Sequence, residues 1–278
     1  MLSELKAAGV ADAAAMVSVF EALAIAAGHE IMDVRENGIS AETKADSSPV
    51  TEADRRAEQV ILRGLAQSFP AIPVVAEEEV AAGRVPDIGD GPFMLVDPLD
   101  GTKEFINGKT DFTVNIALVA GGIPVVGIVY APARGTLWAG RPGHAFMADV
   151  AGATVSNRRA ISGAAMGSAV RVVASKSHRT PETDDFIARF EGAETVSVGS
   201  SLKFCLLAEG AADIYPRFGR TMEWDTATGD AVLRAAGGTT VKPDGSAFAY
   251  GKRNQADDSD FANSWFIAVS GQAGALVA

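Results

Sequence analysis

Two carboxylates three residues apart stand in the stretch Asp97-Pro98-Leu99-Asp100-Gly101-Thr102, directly after an apolar run at 93–96. Oxygen donors at this spacing suit a hard divalent cation such as magnesium, which takes a few carboxylates together with substrate phosphate and water. Pro98 stiffens the turn between the two acids, and Gly101 lets the backbone approach a ligand closely. Asp-Pro and Asp-Gly are also ordinary turn dipeptides, so these six residues alone describe the end of a strand equally well. The chain offers further acids in short polar stretches, Asp54, the pair Glu77-Glu78 and Asp225. Each of them taken alone is more often a solvated surface group than a ligand.

The elements around these acids read as a mixed α/β chain. Residues 11–32 carry Met16, Phe20, Leu23 and Ile31 on a helical repeat and predict a long helix, followed by a polar, turn-rich loop over 39–49. Thr51 is the expected N-cap of a second helix running to about residue 68, which Pro70 and Pro73 terminate. A short strand at 74–75 precedes a glycine- and charge-rich loop at 81–91, and the strand at 93–96 delivers Asp97 at its end. β-rich segments at 113–120 and 125–130, joined by Gly121-Gly122, predict a hairpin, with further strands at 136–139 and 145–147. A stretch over 151–167, full of Gly, Ala and Ser, is the expected linker, dividing a first unit of 1–155 from a second of 156–278. The second unit alternates strand (171–174), helix (181–190), strand (195–198), helix (201–209), strand (212–215), helix (226–236) and strand (265–269).

Composition narrows the function classes. The 278 residues are 47% hydrophobic and 21% charged, ordinary values for a folded chain with a large core. The net charge of −11 opposes binding to nucleic-acid polymers and anionic membranes, yet leaves room for a small phosphorylated ligand where cations invert the local sign. Cys205 is the single cysteine; it excludes an internal disulfide and, among apolar neighbours, reads as a buried side chain. The first residues lack the pattern of a secretory signal, and no apolar run approaches the roughly 20 residues of a membrane span. The expectation is a cytoplasmic protein with no integral membrane segment, loose association with the cytoplasmic face of an inner membrane being compatible with it.

Four stretches resemble one family. Residues Asp97 to Thr102 resemble the first signature of the lithium-sensitive, magnesium-dependent inositol monophosphatase superfamily, and Trp224-Asp225-Thr226-Ala227-Thr228-Gly229 resembles the second. Val75-Ala76-Glu77-Glu78 and Ser48-Pro49-Val50-Thr51-Glu52-Ala53-Asp54 are similar to its upstream acidic segments, in the same order. Gly101-Thr102-Lys103-Glu104-Phe105-Ile106, Ser175-Lys176-Ser177-His178, Gly199-Ser200-Ser201-Leu202-Lys203-Phe204-Cys205 and Tyr215-Pro216-Arg217-Phe218-Gly219 bring it closest to the bacterial 3′(2′),5′-bisphosphate nucleotidases of the CysQ type. These convert adenosine 3′,5′-bisphosphate, a by-product of sulfate assimilation, to AMP.

The resemblance implies a sugar-phosphatase-like fold, an α/β (α+β) layered sandwich with two sheets and flanking helices, the site lying between the halves. It makes Glu77, Asp97 and the Leu99 carbonyl ligands of one magnesium ion, and Asp97, Asp100 and Asp225 ligands of a second; a third, weaker ion belongs near Glu77. Five acids meeting in one cleft would raise each other's pKa values, a penalty that divalent cations remove. Thr102, hydrogen-bonded to Asp54, would orient the attacking water and is also a candidate N-cap. A helix starting after Gly101-Thr102 would add backbone N–H groups to the phosphate seat. Asp100, Gly101, Thr102, His178, Ser200, Lys203, Arg217 and Asp225 are implied contacts to the substrate. Lys203 and Arg217 would pair with the phosphate that is not cleaved, and Ser200 would cap the helix bearing Lys203. An inositol or sugar phosphate remains an alternative substrate, because the metal site does not choose the alcohol. Oligomeric state is open, a homodimer included.

Overall fold

The computed structural model describes residues 12–44, 49–164, 167, 169–174 and 179–271. In chain order the elements begin with α1 (Ala13–Asn37), β1 (Ala41–Thr43), β2 (Pro49–Thr51), α2 (Glu52–Ser68), β3 (Val74–Ala76) and α3 (Glu77–Ala81). They continue with β4 (Phe93–Asp100), α4 (Thr102–Ile106), β5 (Thr113–Ala120), β6 (Ile123–Ala131), β7 (Thr136–Arg141), β8 (His144–Ala151) and β9 (Thr154–Ala160). The remainder is β10 (Arg171–Ala174), α5 (Pro181–Ile187), β11 (Glu194–Ser197), α6 (Leu202–Ala208), β12 (Ile214–Arg217), α7 (Glu223–Ala235), β13 (Thr239–Val241) and β14 (Phe266–Val269).

Among the described residues the large sheet has the order β3-β4-β5-β6-β7-β8-β9, antiparallel except for the parallel β3–β4 pair. The smaller sheet has the order β11-β10-β12-β14-β13, parallel across β11-β10-β12 and antiparallel beyond. Alternation along each strand assigns side chains to separate cores. Met94 and Val96 of β4 join Met16, Phe20 and Ile61 of α1 and α2 on one face of the large sheet. Leu95, one residue out of phase, joins Leu202, Trp224, Val232 and Phe266 on the other. Val172 and Ile267 face α5 through Phe186 on the far side of the small sheet. The result is a layered α/β sandwich, helices and sheets alternating, with α6 and α7 between the two sheets.

That middle layer is close-packed because two strand positions lack a side chain. A Cβ at Gly127 would lie 2.6 Å from Thr228 O, and one at Gly140 would lie 2.6 Å from Val232 Cα. The backbone of α7 therefore rests directly on the sheet, which fixes where its first turn, and Asp225, can be.

Two expectations need correction. Residues 154–160 are not a linker: they form β9, paired antiparallel with β8, and the crossover between sheets falls after them. The loop expected over 39–49 contains β1, which pairs with β2. Helix α1 has the length and composition of a membrane span, but Met16, Phe20, Ala24 and Ile31 are buried in the core.

Candidate active site

Asp97 and Asp100 are three positions apart, an odd offset that in a regular strand sends side chains to opposite faces. The β4–β5 register pairs Asp97 with Asn115 but Asp100 with Thr113, one residue more on the β4 side. This bulge, at Pro98-Leu99, re-aims the strand end so that both acids reach the α6–α7 layer. Asp100 Oδ2 accepts from the Ser201 backbone N–H just before α6 at 2.7 Å. The Ser201 hydroxyl donates to the Asp225 carbonyl at 3.0 Å and accepts from Asn115 Nδ2 at 2.9 Å. One serine thus ties β4, β5, α6 and the first turn of α7 together. In that turn Asp225 Oδ2 accepts from Met222 N–H at 2.8 Å.

Glu77 enters at the start of α3 and lines the same cleft. Its Oε1 lies 2.6 Å from Lys44 Nζ, and the same ammonium lies 2.6 Å from Glu78 Oε1. Glu78 is thereby engaged beside the site, as a neighbour of Glu77. Asp54 stands in the first turn of α2, where its Oδ2 accepts from both the N–H and the hydroxyl of Thr51 at 2.7 Å. Thr102 Oγ1 lies 3.1 Å from Asp54 Oδ1 and 3.1 Å from the Leu99 carbonyl, so its single proton serves one of the two at a time. The Asp54–Thr102 contact implied by the family resemblance is therefore present.

The electrostatics follow from this convergence. Burial, then the charges of Glu77, Asp100 and Asp225, hold Asp97 well above the usual carboxylate range. Burial, then Asp100 and Glu77, push Asp225 up to about 8. Burial also raises Asp100, although Lys203 and hydrogen bonding from Ser201 oppose it. Asp54 is raised by burial against its hydrogen bonds. Among the described residues no three acidic, histidine or cysteine side chains close on one point as a finished ion cage. Each acid instead spends one oxygen on a local donor: Asp97 Oδ1 accepts from Leu99 N–H at 3.0 Å, alongside the Ser201, Met222 and Lys44 contacts above. The second oxygens of Asp97, Asp100 and Asp225 are uncommitted among the described residues. A set of hard oxygen donors that repel one another fits a divalent cation such as magnesium, and Glu77, Asp97, Asp100 and Asp225 are the side chains that could hold it.

The cleft encloses about 280 Å³, and the basic residues Lys203, Arg217 and Arg220 line it together with Glu77, Asp100 and Asp225. Lys203 is buried, donates to the Ser200 carbonyl at 2.6 Å and stands 5.5 Å from the Tyr215 ring centroid. Burial lowers its pKa to about 8 in spite of Asp100. Arg217, also buried, donates from Nη2 to the Arg220 carbonyl at 3.2 Å.

Several expectations about individual residues change. Ser200 does not cap α6: Ser201 occupies that position, and the Ser200 hydroxyl reaches the Asp100 and Asp111 carbonyls at 2.9 and 2.7 Å. Gly101 lines the cleft, but the space beside its α-carbon is taken by protein, since a Cβ there would meet Ser200 Oγ at 2.3 Å. The N-cap of α4 is Gly101 and not Thr102, which is the first helical residue. His178, with Ser175 to Ser177, and Ser48 lie outside the described residues. Lys44, Asn115, Ser201 and Arg220 were not singled out from sequence. Ser201 sat in a quoted motif, whereas nothing local marks Lys44, Asn115 or Arg220, whose side-chain contacts are made to residues 15 or more positions away.

The chain is similar to known proteins over most of its length. A model described as the inositol monophosphatase family matches residues 12–271. The 3′(2′),5′-bisphosphate nucleotidase CysQ of Escherichia coli strain K12 is 43% identical over 217 residues, covering 77% of this chain and 85% of that protein. Its counterpart in Buchnera aphidicola is 37% identical over 248 residues, covering 88% and 90%. The crystal structure of CysQ from Bacteroides thetaiotaomicron, a bacterial member of the inositol monophosphatase family, is similar at a TM-score of 0.73 and 35% identity, covering 92% of this chain and 97% of that one. With the match running from the head of α1 to the residues just past β14, over the same layered fold, the chain belongs to the inositol monophosphatase family.

Proposed function

We propose that this protein is a magnesium-dependent phosphomonoesterase that hydrolyses adenosine 3′,5′-bisphosphate to AMP and phosphate, the step that clears this by-product of sulfate assimilation. One observation carries the reading: a single cleft is lined both by the acids Glu77, Asp100 and Asp225 and by the buried cations Lys203 and Arg217. A substrate with two phosphates suits both sets of groups, one phosphate being cleaved among the acids and the other seated at Lys203 and Arg217. The names of the relatives, bisphosphate nucleotidases, support the same substrate class.

Glu77, Asp97, Asp100, Asp225 and the Leu99 carbonyl are the groups to hold two magnesium ions, with a third near Glu77 and lithium sensitivity expected alongside. Bound magnesium supplies charge neutralisation for the phosphoryl oxygens and leaving group, and acidifies the attacking water. The rest falls to the chain itself. With its proton directed at Asp54 Oδ1, the Thr102 hydroxyl accepts a hydrogen bond from that water and orients it in line with the departing ribose oxygen. The proton released passes through Thr102 Oγ1 to the Asp54 carboxylate, whose burial makes it a better base than a free aspartate. Ser200 holds the Asp100 backbone in place through a direct hydrogen bond to its carbonyl. The division of labour assigns the acids mainly to the unit built on the large sheet and the substrate cations to the one built on the small sheet. A cytoplasmic site of action goes with this substrate.

The test is phosphate release from adenosine 3′,5′-bisphosphate, AMP and inositol 1-phosphate with magnesium. The bisphosphate should have the highest kcat/KM. A higher value for inositol 1-phosphate would replace the nucleotide with an inositol or sugar phosphate.

A further inference from the structure

The cleft is also lined by a basic residue of a different kind from Lys203 and Arg217. Lys203 and Arg217 are buried, each 8% exposed, and locked by backbone carbonyls. Arg220 lines the same cleft from the loop between β12 and α7, but its side chain is 55% exposed. Its guanidinium is turned to a second loop: Nε lies 3.1 and 3.3 Å from the Asp258 oxygens, while Nη2 lies 3.1 Å from Asp258 Oδ1 and 2.8 Å from Ser259 Oγ. The Arg220 carbonyl is meanwhile the acceptor for Arg217 Nη2, so the two guanidinium-bearing residues are joined through one backbone position.

From this arrangement we infer that Arg220 is a mobile phosphate clamp, parked on Asp258, that joins Lys203 and Arg217 when the uncleaved phosphate of the substrate enters. An ion pair between exposed side chains is weak, because water screens both partners. A phosphate monoester offers up to two negative charges and three acceptor oxygens to the same planar fork, against one charge on Asp258. The exchange breaks one ion pair and forms a stronger one with a group already ordered at Lys203 and Arg217, so little further entropy is lost. Arg220 is thus a specificity-determining residue: it acts on substrates with a second phosphate and is silent toward those without one. The inference rests on the two-phosphate reading above and adds a residue to it.

The experiment compares Arg220→Ala, Arg220→Lys and Asp258→Asn with the parent protein on two substrate pairs, adenosine 3′,5′-bisphosphate with adenosine 3′-phosphate and inositol 1,4-bisphosphate with inositol 1-phosphate. For the bisphosphate of whichever pair the parent prefers, Arg220→Ala should raise KM about tenfold with kcat within twofold, and leave the monophosphate unchanged. Arg220→Lys should recover part of the loss. Asp258→Asn removes the same ion pair yet frees the clamp, so it should lower KM for the bisphosphate at least twofold. Equal losses on both members of a pair, no loss at all, or a rise in KM for Asp258→Asn would overturn the clamp and leave a structural ion pair in its place. Preference for the inositol pair would instead overturn the nucleotide reading, with the clamp still decided on that pair.

Discussion

Replacing Asp225 by Asn removes one charge from the acid cluster while keeping an oxygen to accept from Met222 N–H. The size of the effect follows from linkage. Asp225 titrates near 8 in the folded protein against an ordinary value of 3.8, so between those limits the native state binds more protons than the unfolded one. Stability therefore falls as pH rises through that window. At pH 7, the proton that Asp225 must take up on folding costs about 4 kcal/mol with no screening, at ~1.4 kcal/mol per pH unit between 3.8 and neutrality. The side chain lies on the wall of an open cleft, and water there reduces the penalty to about 1–2 kcal/mol. For a chain of this size that corresponds to a Tm higher by about 2–5 °C in Asp225→Asn without divalent cations. Calorimetry in EDTA at pH 7 and pH 5 checks this, and the gain should shrink at pH 5, which lies closer to the unfolded value of 3.8, so that the proton taken up on folding costs less. Titration with magnesium should stabilise the parent and should stabilise Asp225→Asn much less, because a ligand is missing. A lower Tm for Asp225→Asn in EDTA, with an undiminished response to magnesium, would refute the claim that these acids meet and repel.

Thr102→Val should reduce kcat by about 10²–10⁴ with KM little changed, since water would lose its acceptor and the route to Asp54, and Thr102→Ser should retain most activity. Steady-state phosphate release checks both, and a valine variant within tenfold of the parent would exclude the relay. Gly101→Ala should cost about 3 kcal/mol or more in urea unfolding, because φ is +95° and the new methyl would sit 2.3 Å from Ser200 Oγ and 2.9 Å from the Asp111 carbonyl. A loss below about 1 kcal/mol would mean the two halves part easily at this point. Asp213→Asn should cost about 2–3 kcal/mol at pH 7, since the buried Asp213 accepts from Arg171 N–H at 2.7 Å, from Nε at 3.1 Å and from Nη2 at 2.7 Å. Burial opposes ionisation there, but Arg171 holds Asp213 below 3.8, so its contribution is present above 3.8 and lost on acidification below the folded value. Acid unfolding of Asp213→Asn should accordingly have a shallower pH slope than that of the parent.

Most of what could be read in advance is local in the chain. The β-rich runs at 113–120 and 125–130 and the Gly121-Gly122 turn specify a hairpin between near neighbours, and β5 and β6 form it. Thr51 with Asp54 three residues on is a complete capping signal, and both of its hydrogen bonds are made. The acid motifs were visible for the same reason, as fixed residue types at short fixed spacings. Residues 154–160 misled because a short, polar, mostly exposed edge strand buries too little apolar surface to show a period, and only its pairing with β8 makes it a strand.

Residue order therefore already specified the chemistry available to this protein: hard oxygen donors, a threonine beside an aspartate, and cations in the second half. Which oxygens face one another was settled by packing. A bulge at Pro98-Leu99 turned Asp97 and Asp100 to the same side, glycines at 127 and 140 let α7 lie close enough to bring Asp225 to them, and Ser201 fastened the junction. Spacing along a chain encodes the local backbone, whereas contacts across a hundred residues depend on how whole layers stack, and no short motif records that.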